Sequence, residues 1–184
     1  MINRYQIMRN QHRAYTIGSI EHINTEWIFF EEESEEASLL SEIVQDGFEI
    51  LYEHHWIPAH IYENDMIKIE NILYKLQNRD TLRVPKKLLY SYEEWLKGLS
   101  DSSFLALASS LKAFEYSLYD CLFCHNSMQF IRNQIPNQGV NFILYDNGDL
   151  VCSLHHHYVH HSNEGKDTFI FTRADGETKM IENE

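Results

Sequence analysis

Two of the three cysteines fall in one run, Cys121-Leu122-Phe123-Cys124-His125. The third, Cys152, precedes a histidine-rich stretch, His155-His156-His157-Tyr158-Val159-His160-His161. Cys-x-x-Cys-His is the pattern on which c-type haem is attached, the two thiols adding to vinyl groups and the histidine ligating iron. That attachment belongs outside the cytoplasm, and Met1-Ile2-Asn3-Arg4-Tyr5-Gln6 shows neither an apolar h-region nor a small-residue cleavage site. A redox dithiol needs its first cysteine at a helix N-terminus, where the dipole lowers the thiol pKa. Here the pair is expected deep inside a helix, beside Asp120, and both features act the other way.

Zinc is the stronger chemical alternative. On a helix, Cys121, Cys124 and His125 project to one side, and Cys152 or His156 from a covering hairpin would complete a closed Cys₃His site. Against it, the second ligand pair and the turn glycine of a zinc knuckle are missing. Cysteine is also among the most buried residue types for packing reasons alone, so the expectation is that this cluster is apolar filler. Along a strand, His155, His157 and His161 face one way and His156 and His160 the other. Such a row can hold a metal or take up protons together as pH falls through about 6.5. The simpler reading is an exposed strand near a sheet edge, with His54-His55 forming a turn.

No Gly-x-Gly-x-x-Gly, Walker loop, Gly-x-Ser-x-Gly or His-Glu-x-x-His occurs, so an enzyme is not the expectation. The net charge of −13 is uneven. Residues 1–70 carry 14 acids against 4 bases, 71–139 carry 6 against 8, and 140–184 carry 8 against 3. Such a chain repels phosphate backbones and anionic lipid, and the apolar stretch Phe104–Phe130 is interrupted by Lys112, Glu115, Asp120 and His125. Neither nucleic acid nor membrane is therefore an expected partner, whereas a basic protein would be attracted. Trp27, Trp56 and the neighbouring tyrosines are candidate anchors for such a partner, and Glu31, Glu32 and Glu33 candidate acidic contacts.

The sequence does not determine what the protein does. The expectation is a small cytoplasmic protein-binding or regulatory protein with an acidic interaction surface and no cofactor, the alternative being a zinc protein built on the Cys/His cluster. Oligomeric state is not legible.

The elements that would position these residues point to an α+β fold with an acidic β-rich part, residues 1–78, and an α+β part, residues 79–184. Ala14–Ile23, Glu26–Glu32, Phe48–Glu53, Trp56–Tyr62 and Met66–Ile69 read as five short strands of a small bent antiparallel sheet or barrel. Ala37–Val44 reads as a helical turn ended by Asp46-Gly47. In strand count and spacing this part resembles SH3-like barrels, without any family motif. Asn71–Asn78 reads as helical, Ser91-Tyr92-Glu93-Glu94 as a capping box for a helix closed by Gly98, and Ser100 or Asp101 as the cap of a long helix reaching Arg132. Its seam, Phe104, Leu107, Leu111, Phe114, Leu118, Cys121, His125 and Met128, alternates spacings of three and four. After Ile135-Pro136, the strands Val140–Tyr145, Leu150–Tyr158, Thr168–Arg173 and Thr178–Ile181, with a loop at Ser162–Asp167, predict a four-stranded antiparallel meander covering that helix.

Overall fold

A computed structural model of the protein describes residues 2–34, 36–45, 47–129, 137–161 and 165–183. The far end of the expected long helix, Ile135-Pro136, Asp46 and the start of the Ser162–Asp167 loop lie outside the described residues. The chain forms two compact units, Tyr15–Lys86 and Met1–Ala14 with Lys87–Glu184.

The chain opens with α1 (Arg4–Arg9), capped by Asn3, whose side chain accepts from the Gln6 amide at 3.1 Å. The first unit then runs β1 (Tyr15–Ile23), β2 (Glu26–Glu31), β3 (Ala37–Leu39), α2 (Leu40–Ile43), β4 (Phe48–Tyr52), β5 (His55–Glu63), β6 (Met66–Ile69), β7 (Ile72–Lys75) and β8 (Thr81–Pro85). All pair antiparallel, in the order β3-β2-β1-β8-β4-β5-β6-β7. The period-two alternation places Ile20, Phe29, Phe48, Ile50, Ile67, Ile69, Leu82 and Val84 in one buried cluster. Ile20 faces Phe29 across the first hairpin, and the Phe29 ring lies over Gly18. A Cβ at Gly18 would stand 2.6 Å from that ring and 2.1 Å from the Phe30 carbonyl oxygen, so only glycine is accommodated. The Trp27 indole N–H donates to Asp65 Oδ1 at 2.9 Å, joining β2 to the β5–β6 turn across the curvature of the sheet.

In the second unit, α3 (Tyr90–Gly98) and α4 (Asp101–Ala113) precede β9 (Cys121–His125), β10 (Asn137–Asp146), β11 (Val151–His160), β12 (Gly165–Arg173) and β13 (Thr178–Asn183). The five strands form an antiparallel meander, β13-β12-β11-β10-β9. Its inner face supplies Cys124, Ile143, Tyr145, Cys152, Leu154, Phe169 and Phe171 to a core shared with Tyr92, Trp95, Leu96, Phe104, Leu107 and Leu111 of α3 and α4. Arg4 ties α1 to the helices, donating to the Leu96 and Leu99 carbonyls at 2.8 and 2.7 Å and to Asp101 at 2.9 Å.

This architecture corrects the expected α+β fold. The protein is mostly β, with two large sheets. Among the described residues the helices are short and there is no long helix. α4 stops at Ala113 because Glu115 takes a left-handed φ of 66°, the Tyr116 amide bonds back to the Leu111 carbonyl at 2.9 Å, and the Glu115 amide to that of Lys112 at 3.1 Å. These paired bonds are a Schellman stop. The stop residue is a glutamate, and its local sequence gives no glycine signal. Ser117 and Asp120 then form a capping box around a short 3-10 turn, and Arg13 binds the Asp120 carboxylate through two bonds of 2.7 and 2.6 Å. Beyond it the β-favouring run Cys121–His125 pairs with β10.

The expected small sheet of five strands has eight, because Ala37–Leu39, Ile72–Lys75 and Thr81–Pro85 also pair. Asn71–Asn78, expected helical, contains β7. The expected four-stranded meander has five strands. Ser91 does not cap α3, which starts after Leu89 without a side-chain cap; its hydroxyl donates to the Cys124 carbonyl at 3.0 Å.

Candidate functional site

The Cys/His cluster changes meaning on a strand. Cys124 and His125 are sequence neighbours and therefore point to opposite faces of the sheet. Cys124 is buried in the core and His125 is exposed. Tyr145 lies opposite Cys121 on one side and Cys152 on the other, and so separates them in the ladder. Among the described residues no group of three or more His, Cys, Asp or Glu side chains is placed to hold a metal ion. The three cysteines are free thiols. Burial, with Cys124 nearby, pushes the Cys121 thiol up to about 12, and burial pushes Cys124 to about 12. Cys152 is raised by burial as well. Thiols so shifted hold almost no thiolate at neutral pH, the form that attacks or ligates.

His156, the fifth of the residues proposed as ligands, sits at the centre of a buried polar network. Trp95 Nε1 lies 2.9 Å from His156 Nδ1 and Asn141 Nδ2 lies 3.0 Å from the same atom. An indole nitrogen can only donate, so Nδ1 is an acceptor and the ring proton sits on Nε2. The Asn141 amide is oriented by its oxygen, which accepts from the Ser127 amide and hydroxyl at 2.7 and 2.9 Å. Nε2 then donates to Asp167 Oδ1 at 3.0 Å, and His160 Nε2 reaches the same oxygen at 2.9 Å. The other carboxylate oxygen accepts from the Ser103 hydroxyl, whose own oxygen accepts from Asn183 at 2.9 Å. The His156 ring is fully buried and stacks on Phe169 at 4.7 Å.

The network holds the ring proton between His156 Nε2 and Asp167. A metal on His156 Nε2 would have to displace that proton and leave an imidazolate. The serine donates to the carboxylate and not to an imidazole, so the order of an acyl-transfer triad is absent. Burial alone would raise Asp167, but hydrogen bonds from His156 and Ser103 outweigh it and hold the carboxyl at about 2. Burial lowers His156, against the pull of Asp167. The outward side of β11 carries His155 and His157, with His155 edge-on to Phe142 at 5.0 Å.

The eight-stranded unit holds the more open feature. An apolar groove of about 490 Å³ lies between the β4–β5 and β6–β7 hairpins, lined by Tyr52, Trp56, Ile57, Pro58, Ile69, Ile72 and Tyr74, with His55 and with Glu53 and Glu70. Two-residue turns position these walls. Glu53 and His54 both take positive φ, which shifts the turn one residue earlier than the expected His54-His55, and Glu70 does the same between β6 and β7. Tyr52 meets Tyr74 edge-on at 5.8 Å. Burial and a 3.0 Å hydrogen bond to Asp80 push the Tyr74 phenol up to about 12, fixing it as a neutral wall. Trp56 packs against the Arg83 guanidinium, 4.7 Å from its ring centre; Arg83 also stacks on Tyr15 and pairs with Glu49.

Residues 2–183 match the family model described as protein of unknown function (DUF2777). The chain belongs to that family. The uncharacterized protein YisN of Bacillus subtilis (strain 168) is similar to this DUF2777 chain, with 27% identity over 185 residues covering 98% of this chain and 91% of that one. No solved structure matches the chain. Neither the family description nor the relative carries a function, so none is inherited from either.

Of the sequence candidates for partner contact in this DUF2777 protein, only Trp56 and the neighbouring Tyr52 line the groove. Trp27 is half-buried, bonded to Asp65 and packed on the core. Glu31 accepts from Ser34 at 2.8 Å, and Glu32 and Glu33 are exposed on the β2–β3 connection, at the other end of the strand order. Sequence reading missed Ile72 and Tyr74. A signal existed in the run Ile69–Tyr74, whose apolar residues flank Glu70-Asn71 as a hairpin does. It missed Asp167 because nothing local connects it to His156.

Proposed function

We propose that this protein is a binding module of the cytoplasm, not an enzyme, whose groove takes apolar side chains from a basic segment of a protein partner. The groove carries the reading: three aromatic rings and Ile72, which is 61% exposed, line a cleft with a glutamate on each hairpin turn. Aromatic side chains give large contact area at low entropic cost, which suits a recognition surface. Charge supports the choice of partner, since residues 15–86 carry 15 acids against 5 bases, about three quarters of the net charge. A nucleic acid would be repelled by the same field.

The test is fluorescence anisotropy of a labelled short peptide of alternating valine and leucine flanked by paired lysines. Saturable binding is expected, weakening by about tenfold or more between about 20 mM and about 300 mM NaCl, and weakening again in Ile72→Ser and Trp56→Ala. Ile72→Ser acts at the rim and leaves the Arg83 stack alone, so it separates lost contact from lost folding. Absence of saturable binding, or equal affinity in both variants, overturns the reading.

A further inference from the structure

Resting on that reading, we infer that the partner segment binds in extended form, as a ninth strand added antiparallel to the free edge of β7. β7 ends the strand order and pairs with β6 alone among the described strands. The β6–β7 register runs Ile69↔Ile72, Lys68↔Leu73, Ile67↔Tyr74 and Met66↔Lys75. A two-residue hairpin closes on a hydrogen-bonded pair, here Ile69 and Ile72, and bonded and non-bonded pairs alternate from there. Leu73 and Lys75 therefore direct their amides and carbonyls away from β6, towards an incoming strand. Ile72 and Tyr74 share the opposite side-chain face, and both line the groove. A strand laid along β7 would send every second side chain to that same face, beside the rings of Tyr52 and Tyr74.

The edge is also only lightly defended. Exposed edges are usually blunted by charge, proline or extreme shortness. β3 has three residues, and β13 carries Lys179 and Glu182. β7 has Lys75 at its end, while Ile72 and Leu73 are 61% and 51% exposed. Main-chain bonding at such an edge gives affinity, and the alternate side chains give specificity. Glu53 and Glu70 on the groove complement lysine or arginine in the added segment, which selects a basic partner over a second copy of this acidic chain.

The experiment compares the lysine-flanked peptide with two versions N-methylated on alternate backbone nitrogens, in one phase or the other, against the 184-residue chain. Methylation removes backbone donors while leaving side chains and charge intact. One phase is expected to weaken binding by about tenfold or more, because its nitrogens face β7, and the other by less than about threefold. Leu73→Pro, which removes an outward amide and leaves the β6–β7 ladder bonds, is expected to weaken the parent peptide to a similar degree. Equal binding of all three peptides overturns the added strand while the groove reading stands. No binding of the parent peptide overturns both. Sedimentation velocity is expected to show a monomer; a dimer abolished by Leu73→Pro would assign the edge to a second copy and overturn the basic partner.

Discussion

Trp95 has one polar atom, and it can only donate. That fact places the proton of His156 on Nε2 and fixes the imidazole as neutral. A second proton would put an N–H against two other donors, from Trp95 and Asn141, inside the core. The consequence for stability has a definite sign. In the folded chain the His156 pKa is lowered from 6.5 by burial, so below that pH the unfolded chain takes up a proton that the folded chain refuses. The stability His156 contributes is whole above pH 6.5 and is lost as pH falls below it. Asp167 acts in the same direction further down: its carboxyl is depressed from 3.8 to about 2, so its contribution is lost across that interval. The melting temperature should therefore fall between about pH 7.5 and about pH 5.5, and the slope should shrink in His156→Gln although that variant melts lower at pH 7.5. Scanning fluorimetry at stepped pH reads both, and an unchanged slope in the variant would remove His156 as the cause. The alternation that sends His156 and His160 to one side of β11 was legible in the sequence; Asp167, which gives that side its meaning, was not, because the pairing of β11 with β12 sets it.

The C-terminal hairpins were legible because Asn147-Gly148 and Asp175-Gly176 sit between runs of period two, and that local signal agrees with the long-range pairing. The helix was not, for a reason of geometry. Phe104, Leu107, Leu111, Phe114 and Leu118 enter one core and Cys121 and Met128 pack against it, whereas His125 is exposed, so the hydrophobic spacing reports burial correctly only as far as Cys121. It does not report conformation, since a helix, a 3-10 turn and a strand in succession can aim residues three or four apart at the same interior. The deciding residue is Glu115, at φ 66°, where a side chain with a Cβ is strained and glycine is not. Glu115→Gly should stabilise the chain by about 0.5–1 kcal/mol, a rise of about 1–4 °C in melting temperature. Glu115→Ala, which keeps the Cβ, should give no such rise, and thermal melts of the two side by side separate backbone strain from any effect of the lost charge. Equal stabilisation by both would assign the gain to charge. The same limit hid β8, whose central Arg83 reads as polar surface until Glu49, Tyr15 and Trp56 are seen to enclose it.

Charge acts on the molecule as a whole. The chain carries −13, and most of it lies in residues 15–86. Attraction and repulsion compete within that total. The pairs Arg83–Glu49 and Arg13–Asp120 join a mostly buried guanidinium to a nearly buried carboxylate, so salt screens them weakly. Most of the other described acids, including Glu32 and Glu33, lie towards solvent and repel one another over distances comparable to the screening length, about 30 Å at 0.01 M salt and about 8 Å at 0.15 M. Raising salt across that interval should therefore remove more repulsion than attraction and stabilise the fold. The expected gain is on the order of 1 kcal/mol, or about 2–4 °C, between about 10 mM and about 150 mM NaCl at pH 7.5. Sodium and potassium chloride should act alike, because screening depends on ionic strength and not on the cation. Glu32→Lys with Glu33→Lys should shrink the gain by removing part of the repulsion, and should leave the groove unchanged. A melting temperature that falls with salt would mean that the ion pairs dominate, and the acidic surface would then need a local explanation in place of a global one.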